Sequence, residues 1–227
     1  FSILFSALDA SWSLNLSSIC GFNFPSSNQI NKIENYIDLL KQYNESINIY
    51  SKKSYDKLAY HALDSILLAN KTRGVDKIVD IGSGSGLPGI ILAICNDSNI
   101  VCVESKQKKR QFLHHIKKEL GLTNLEVFDG DVQLYAKMES GAKIGGITAK
   151  AFAKPPKLIF YLQMFNRSNL NNNAVCWVPI SDNQKVVLSG MVPIVESSIA
   201  NITFNYMRIE MTKLKIYKDR LRNQYNL

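Results

Sequence analysis

Asp80-Ile81-Gly82-Ser83-Gly84-Ser85-Gly86-Leu87-Pro88-Gly89 is the stretch on which the reading of this chain turns. Lys77-Ile78-Val79-Asp80-Ile81 leads into it, a short, largely apolar run of the kind that forms a buried strand. Glycines then let the backbone turn sharply, and Gly89 to Cys95 begins a helix with Pro88 suited to its first turn. Outward from this point the texture alternates. Asn99 to Glu104 reads as a strand, Lys108 to Leu120 as a helix and Leu125 to Phe128 as a strand. Gly145 to Ala149 and Ala174 to Val178 are weaker strand candidates, and the tail from Ile194 to Tyr217 adds one or two more. Strands alternating with helices imply a mostly parallel sheet with helices on both faces, an α/β fold.

Upstream, residues 26–49 repeat apolar side chains at three- and four-residue steps (Ile30, Ile33, Ile37, Leu40, Tyr43) behind a capping serine, Ser26 or Ser27. Tyr55 to Asn70 reads as a second amphipathic helix. The expected organisation is therefore a helical N-terminal cap over 1–70 on an α/β domain over 71–227.

A glycine-rich turn between strand and helix aims backbone amides at a ligand. Gly84, Gly86 and Gly89 satisfy GxGxxG, which alone points weakly to a dinucleotide. Asp80, two residues before the first glycine, argues against a pyrophosphate, which its carboxylate would repel. A methionyl group can instead set its ammonium near that acid. Asp80-x-Gly82-x-Gly84-x-Gly86 is the pattern of S-adenosylmethionine-binding Rossmann-like enzymes. Glu104 ends the next strand, where an acid can accept both ribose hydroxyls of an adenosine. Asp131 follows the third strand, and two readings stand side by side: acceptor for the adenine amino group, or cap of the next helix.

The 227 residues are 46% hydrophobic and carry a formal charge of +8, a balance that suits a polyanionic partner. Lys106, Lys108, Lys109, Arg110, Lys117 and Lys118 gather charge on one helix and its approach, with Lys108, Lys109 and Arg110 the first candidates to neutralise the phosphates of such a partner. The four cysteines have no metal-ligand spacing, and adjacent His114 and His115 point apart on a helix, so no metal site is expected. Apolar runs fall far short of the ~20 residues of a membrane helix. Phe1 to Phe24 lacks the basic start of a signal peptide, and a cytoplasmic setting is expected.

Tyr60-His61-Ala62-Leu63-Asp64-Ser65, together with the glycine turn and its Gly86-Leu87-Pro88-Gly89-Ile90 extension, closely resembles the RsmG (GidB) family. Tyr36 to Asn48, Glu104-Ser105 through Leu113, and Ala149-Lys150-Ala151-Phe152-Ala153 match as well, and the likeness covers about residues 22–165. The resemblance implies a guanine-N7 methyltransferase of 16S ribosomal RNA, using S-adenosylmethionine and acting as a monomer on small-subunit RNA or a ribosomal particle. It also implies that Gly82, Leu87, Val132, Gln133 and Lys150 contact the cofactor. Three positions depart from the family pattern: Lys150 for an Arg, Tyr60 for a basic residue, and Trp177-Val178-Pro179-Ile180 for a strand ending in Lys-Gly. Guanine N7 carries a free lone pair, so no general base is expected and none stands out. Lys154-Pro155-Pro156-Lys157 lacks the acceptor and the aromatic ring of the Asn/Asp-Pro-Pro-aromatic motif found in amino-group methyltransferases.

Overall fold

The computed structural model describes residues 22–138, 141–199 and 202–225. The first 21 residues of the expected cap lie outside them.

Five strands run parallel: β1 (Lys77–Ile81), β2 (Asn99–Glu104), β3 (Leu125–Asp129), β4 (Ile144–Thr148) and β5 (Leu170–Ile180). Two more from the tail, β6 (Ile194–Ile199) and β7 (Ile202–Glu210), form a hairpin whose second strand pairs antiparallel with β5. The sheet order is β3-β2-β1-β4-β5-β7-β6. The chain steps outward from β1 to β3 and then returns to place β4 on the other side of β1. This reversal opens a crevice beyond the carboxyl ends of β1 and β4, where open α/β sheets bind ligands. The glycine turn leaves β1 at that crevice.

Every residue of β1 is buried, as a central parallel strand requires. Its side chains serve two cores alternately. Ile78, with Ile100 and Cys102 of β2, faces a core built with α1 (Ser27–Ser46), α2 (Leu58–Lys71), α3 (Gly89–Cys95) and α4 (Gln107–Glu119). Val79, Ile81, Val101 and Val103 face the opposite core, with α5 (Val132–Lys137), α6 (Pro155–Leu162), α7 (Asp182–Leu188) and α8 (Leu214–Tyr225). Each fully buried aliphatic side chain stabilises by about 1.5–3 kcal/mol, so two cores on one sheet fix its strand register.

The cap helix α1 starts at a capping box, in which Ser26 and Gln29 satisfy one another's backbone amides. Its Ile33, Tyr36, Ile37 and Leu40 share the first core with strands β1 and β2. Residues Lys52–Lys57 form a 3-10 turn, so the second helix begins at Leu58, three residues later than its apolar pattern predicts. The polar residues Asn171 to Asn173 belong to β5. A register shift between Ile144 and Gly146 absorbs the extra residues as an irregularity at the strand's start. Pro179 lies beyond the last β4 partner, Thr148 opposite Trp177, so its missing donor takes nothing from that ladder. Among the described residues no helix is long and apolar enough to cross a membrane.

Candidate functional site

The turn is held from inside. The amides of Gly82 and Ser83 both donate to the Val103 carbonyl of β2, at 2.8 and 3.2 Å. The Ser83 hydroxyl donates to the Asp80 carbonyl, and the buried Tyr36 hydroxyl of α1 reaches the Ser85 carbonyl at 2.8 Å. Gly82 has φ of +69°, and a Cβ there would overlap the ring of Phe152. Only glycine allows that backbone and that ring to approach so closely.

Asp80 is buried beneath the turn. One carboxylate oxygen accepts from the Thr148 hydroxyl of β4 at 2.8 Å, the other from the Gly89 amide at the start of α3 at 3.2 Å. Burial pushes its carboxyl up to about 6, against the two hydrogen bonds that favour the ionised form. Its oxygens brace β1, β4 and α3, and it shapes the turn rather than lining its surface.

Glu104 sits where the spacing put it, at the end of β2 beside the turn. It accepts from the Gly84 amide and from the Lys106 amide, each at 2.8 Å. A carboxylate offers about four lone-pair positions, so two donors leave it capacity for hydroxyls. Asp131 caps the next helix through one carboxylate oxygen, accepting from the Leu134 amide at 2.8 Å. Val132 beside it is buried and Gln133 is exposed.

The basic residues of α4 divide. Lys108 is exposed, and Lys109 reaches toward Gly84. Lys106 and Lys109 line one wall of an open groove of about 690 Å³ with Lys52 and Lys53 on the other. Arg110 turns inward instead. Its guanidinium donates to the carbonyls of Ser105 and Glu104 and faces Asp129 at 3.7 Å. The sequence grouped all three cations because a charge run does not say which side chain folds back.

A second cavity, of about 270 Å³, opens at the carboxyl ends of β4 and β5. It is lined by Tyr60, His61, Asp64, Lys150, Phe204 and Asn205, among others. Lys150 donates to Asp64 at 2.7 Å, and both side chains are largely buried. Burial and the nearby Lys150 push His61 down to about 4, so it stays neutral at physiological pH. Ala151 takes φ of 52°, a left-handed conformation that costs a non-glycine residue about 1 kcal/mol or more. That turn sends Lys150 to the cavity and Phe152 to Gly82, so one short segment walls both sites. Asn205 gave no signal in the sequence, because it stands on β7 without a motif, and only the sheet brings it to α2 and β4.

The family model for rRNA small subunit methyltransferase G (GidB) matches residues 29–172. The chain belongs to this family. It is 33% identical to a ribosomal RNA small subunit methyltransferase G of Brachyspira hyodysenteriae over 192 residues, covering 83% of this chain and 85% of that one. A protein of the same name from Neisseria meningitidis is 36% identical over 121 residues, which are 52% of this chain and 56% of the relative. The match to the Neisseria relatives therefore spans little more than half their length. Among solved structures, an O-methyltransferase of Streptomyces achromogenes in complex with SAM superposes with a TM-score of 0.53 at 12% identity, covering 87% of this chain and 94% of that one. At that identity the likeness establishes the fold, a Rossmann-like methyltransferase fold with an N-terminal helical extension. The family span includes the glycine turn, Glu104, His61, Asp64 and Lys150. Strands β6 and β7, with Asn205, fall outside it.

Proposed function

We propose that this protein transfers a methyl group from S-adenosylmethionine to N7 of a guanine in small-subunit ribosomal RNA. The observation that carries the reading is Glu104. In a chain of this family, a buried carboxylate at the end of β2 bonds to the amide of Gly84 in a glycine turn at the crevice. A side chain at Gly84 would meet only the Lys109 ammonium and the Gly82 carbonyl, at 3.6 and 3.7 Å, so this glycine is open on its Cβ side. Gly82, Gly84 and Leu87 would border the methionyl part, Glu104 would accept the ribose hydroxyls, and Val132 and Gln133 would frame the adenine. Asp131 supports that frame by capping α5, and Asp80 supports the turn from below. Lys150, on the wall shared with the second cavity, stands between cofactor and substrate.

When bound, the cofactor supplies an activated methyl on a sulfonium. The N7 lone pair forms the new N–C bond as the C–S electron pair returns to sulfur, and no proton moves. The protein's part is alignment and exclusion of water. Lys108 and Lys109, with the lysine groove, would hold RNA phosphates. Action on naked RNA or an assembled particle, a monomeric state and a cytoplasmic setting belong to the same proposal.

The test supplies labelled cofactor with small-subunit RNA or particles and identifies the modified base after digestion. Label on guanine N7, abolished by 7-deazaguanine at that position, is the expected result. Label on an adenine, a ribose or an exocyclic amine overturns it, and no label on any RNA favours a non-catalytic RNA-binding protein.

A further inference from the structure

Two residues that line the cavity at the ends of β4 and β5, His61 and Asn205, each carry a buried polar atom that the fold leaves without a partner. Asn205 is 4% exposed, and its side-chain amide nitrogen donates to Asp182 at 2.8 Å. Its Oδ1 has no hydrogen-bond partner, and neither has the buried Nδ1 of His61. An orphaned buried acceptor costs about 1–3 kcal/mol, so a fold that keeps one at a cavity wall is set up for a donor from outside. The same cavity holds the Asp64–Lys150 pair. Tyr60 lines it too, 42% exposed and resting on Phe204 with ring centroids 4.7 Å apart. One flat aromatic surface beside interleaved donors and acceptors matches a planar heterocycle with both kinds of group on one edge.

We infer that this cavity reads the Watson–Crick edge of the target guanine, with Asn205 Oδ1 accepting from its exocyclic amine and Tyr60 stacking on its ring. This rests on the guanine reading above and adds the residues that select the base. Guanine presents two donors, N1–H and the amine, next to the O6 acceptor. Asn205 and Asp64 complement the donors and Lys150 complements O6. Adenine would put a bare N1 lone pair against those acceptors and is rejected. A base taken out of its stack and gripped by this edge keeps N7 on its other side. The Lys150-to-Ala153 segment walls both the cavity and the glycine turn, so the N7 side and the cofactor site are neighbours across it. Asn205 lies on β7, so base selection draws on a strand beyond the matched family span of residues 29–172.

Inosine is the probe, because it differs from guanine only by the missing amine. The parent protein is expected to lose about tenfold to a hundredfold in kcat/KM when inosine replaces guanine at the target, the scale of one hydrogen bond to a buried group. Asn205→Leu is expected to lose a similar factor on guanine and to treat both bases alike. Tyr60→Ala is expected to lose about tenfold or more, and Tyr60→Phe to restore it, since stacking needs only the ring. Affinity for S-adenosylhomocysteine, measured by calorimetry, stays within about twofold of the parent in all three and reports that each is folded. Asn205→Leu with the parent's guanine-to-inosine ratio overturns the inference, as does Tyr60→Ala with full activity. Equilibrium binding of guanine- and inosine-containing RNA, with S-adenosylhomocysteine present, separates the two readings. Asn205-dependent preference for guanine without methyl transfer keeps the pocket and removes the reaction, whereas transfer to N7 without that preference does the reverse.

Discussion

Glu104 receives two backbone amides, from Gly84 and Lys106, and so ties the glycine turn to the start of α4. Glu104→Ala is expected to weaken S-adenosylhomocysteine binding by roughly 1–3 kcal/mol, the worth of hydrogen bonds to a charged group. Calorimetric titration measures it, and an unchanged Kd in a folded variant removes Glu104 from the site. Asp80 behaves differently because it is enclosed. Its folded-state value of about 6 lies above the ordinary 3.8, so the folded protein holds this proton more tightly than the unfolded chain does. Stability from this group is therefore greatest below about pH 4 and falls as pH rises to about 6, by on the order of 3 kcal/mol. Asp80→Asn removes that slope. The stability difference between variant and parent, from urea unfolding, should shift in the variant's favour between pH 4 and 6 and level off above. A constant difference across that window would mean the carboxylate ionises without penalty.

At the level of elements, α4 serves two purposes on two faces. Phe112, Leu113 and Ile116 bury into the first core, while Lys108 stays exposed and Lys109 faces the lysine groove. Lys108→Gln with Lys109→Gln is expected to lower RNA affinity and to flatten its dependence on log salt by nearly one unit per lost phosphate contact. Arg110→Gln should leave that slope unchanged, because its guanidinium is already committed to Ser105, Glu104 and Asp129. Salt titrations of RNA binding distinguish them. An unaltered slope in the double variant would make α4 a solvated face only, and a slope lost with Arg110→Gln would mean that the inward contacts open on binding.

For the whole molecule, the proposed chemistry sets the pH profile. N7 needs no deprotonation, and His61, held at about 4, stays neutral through the neutral range. Methyl transfer limited by chemistry should be nearly flat from about pH 6.5 to 8.5, without the rising limb of a general base. Single-turnover rates across that range test it, and a tenfold rise per pH unit would require a base that this reading does not contain.

Local sequence determined the strands, the glycine turn and the place of Glu104. Strand period, glycine spacing and the distance from Asp80 to Glu104 are all short-range quantities, and the parallel sheet follows from their alternation. It also determined the capping box of α1 and the charge of α4. What side chains do after the chain has closed was decided by tertiary structure. Asp80 became a buried brace because Thr148 arrives from β4, and Arg110 folded back because Asp129 ends the neighbouring strand. The second cavity was illegible for the same reason. Its walls come from α2, the turn after β4, β5 and β7, and Asn205 stands 145 positions from Tyr60 in a strand without a motif. Periodicity reports which face of an element is buried, but only packing across distant elements determines which polar atoms are left without a partner.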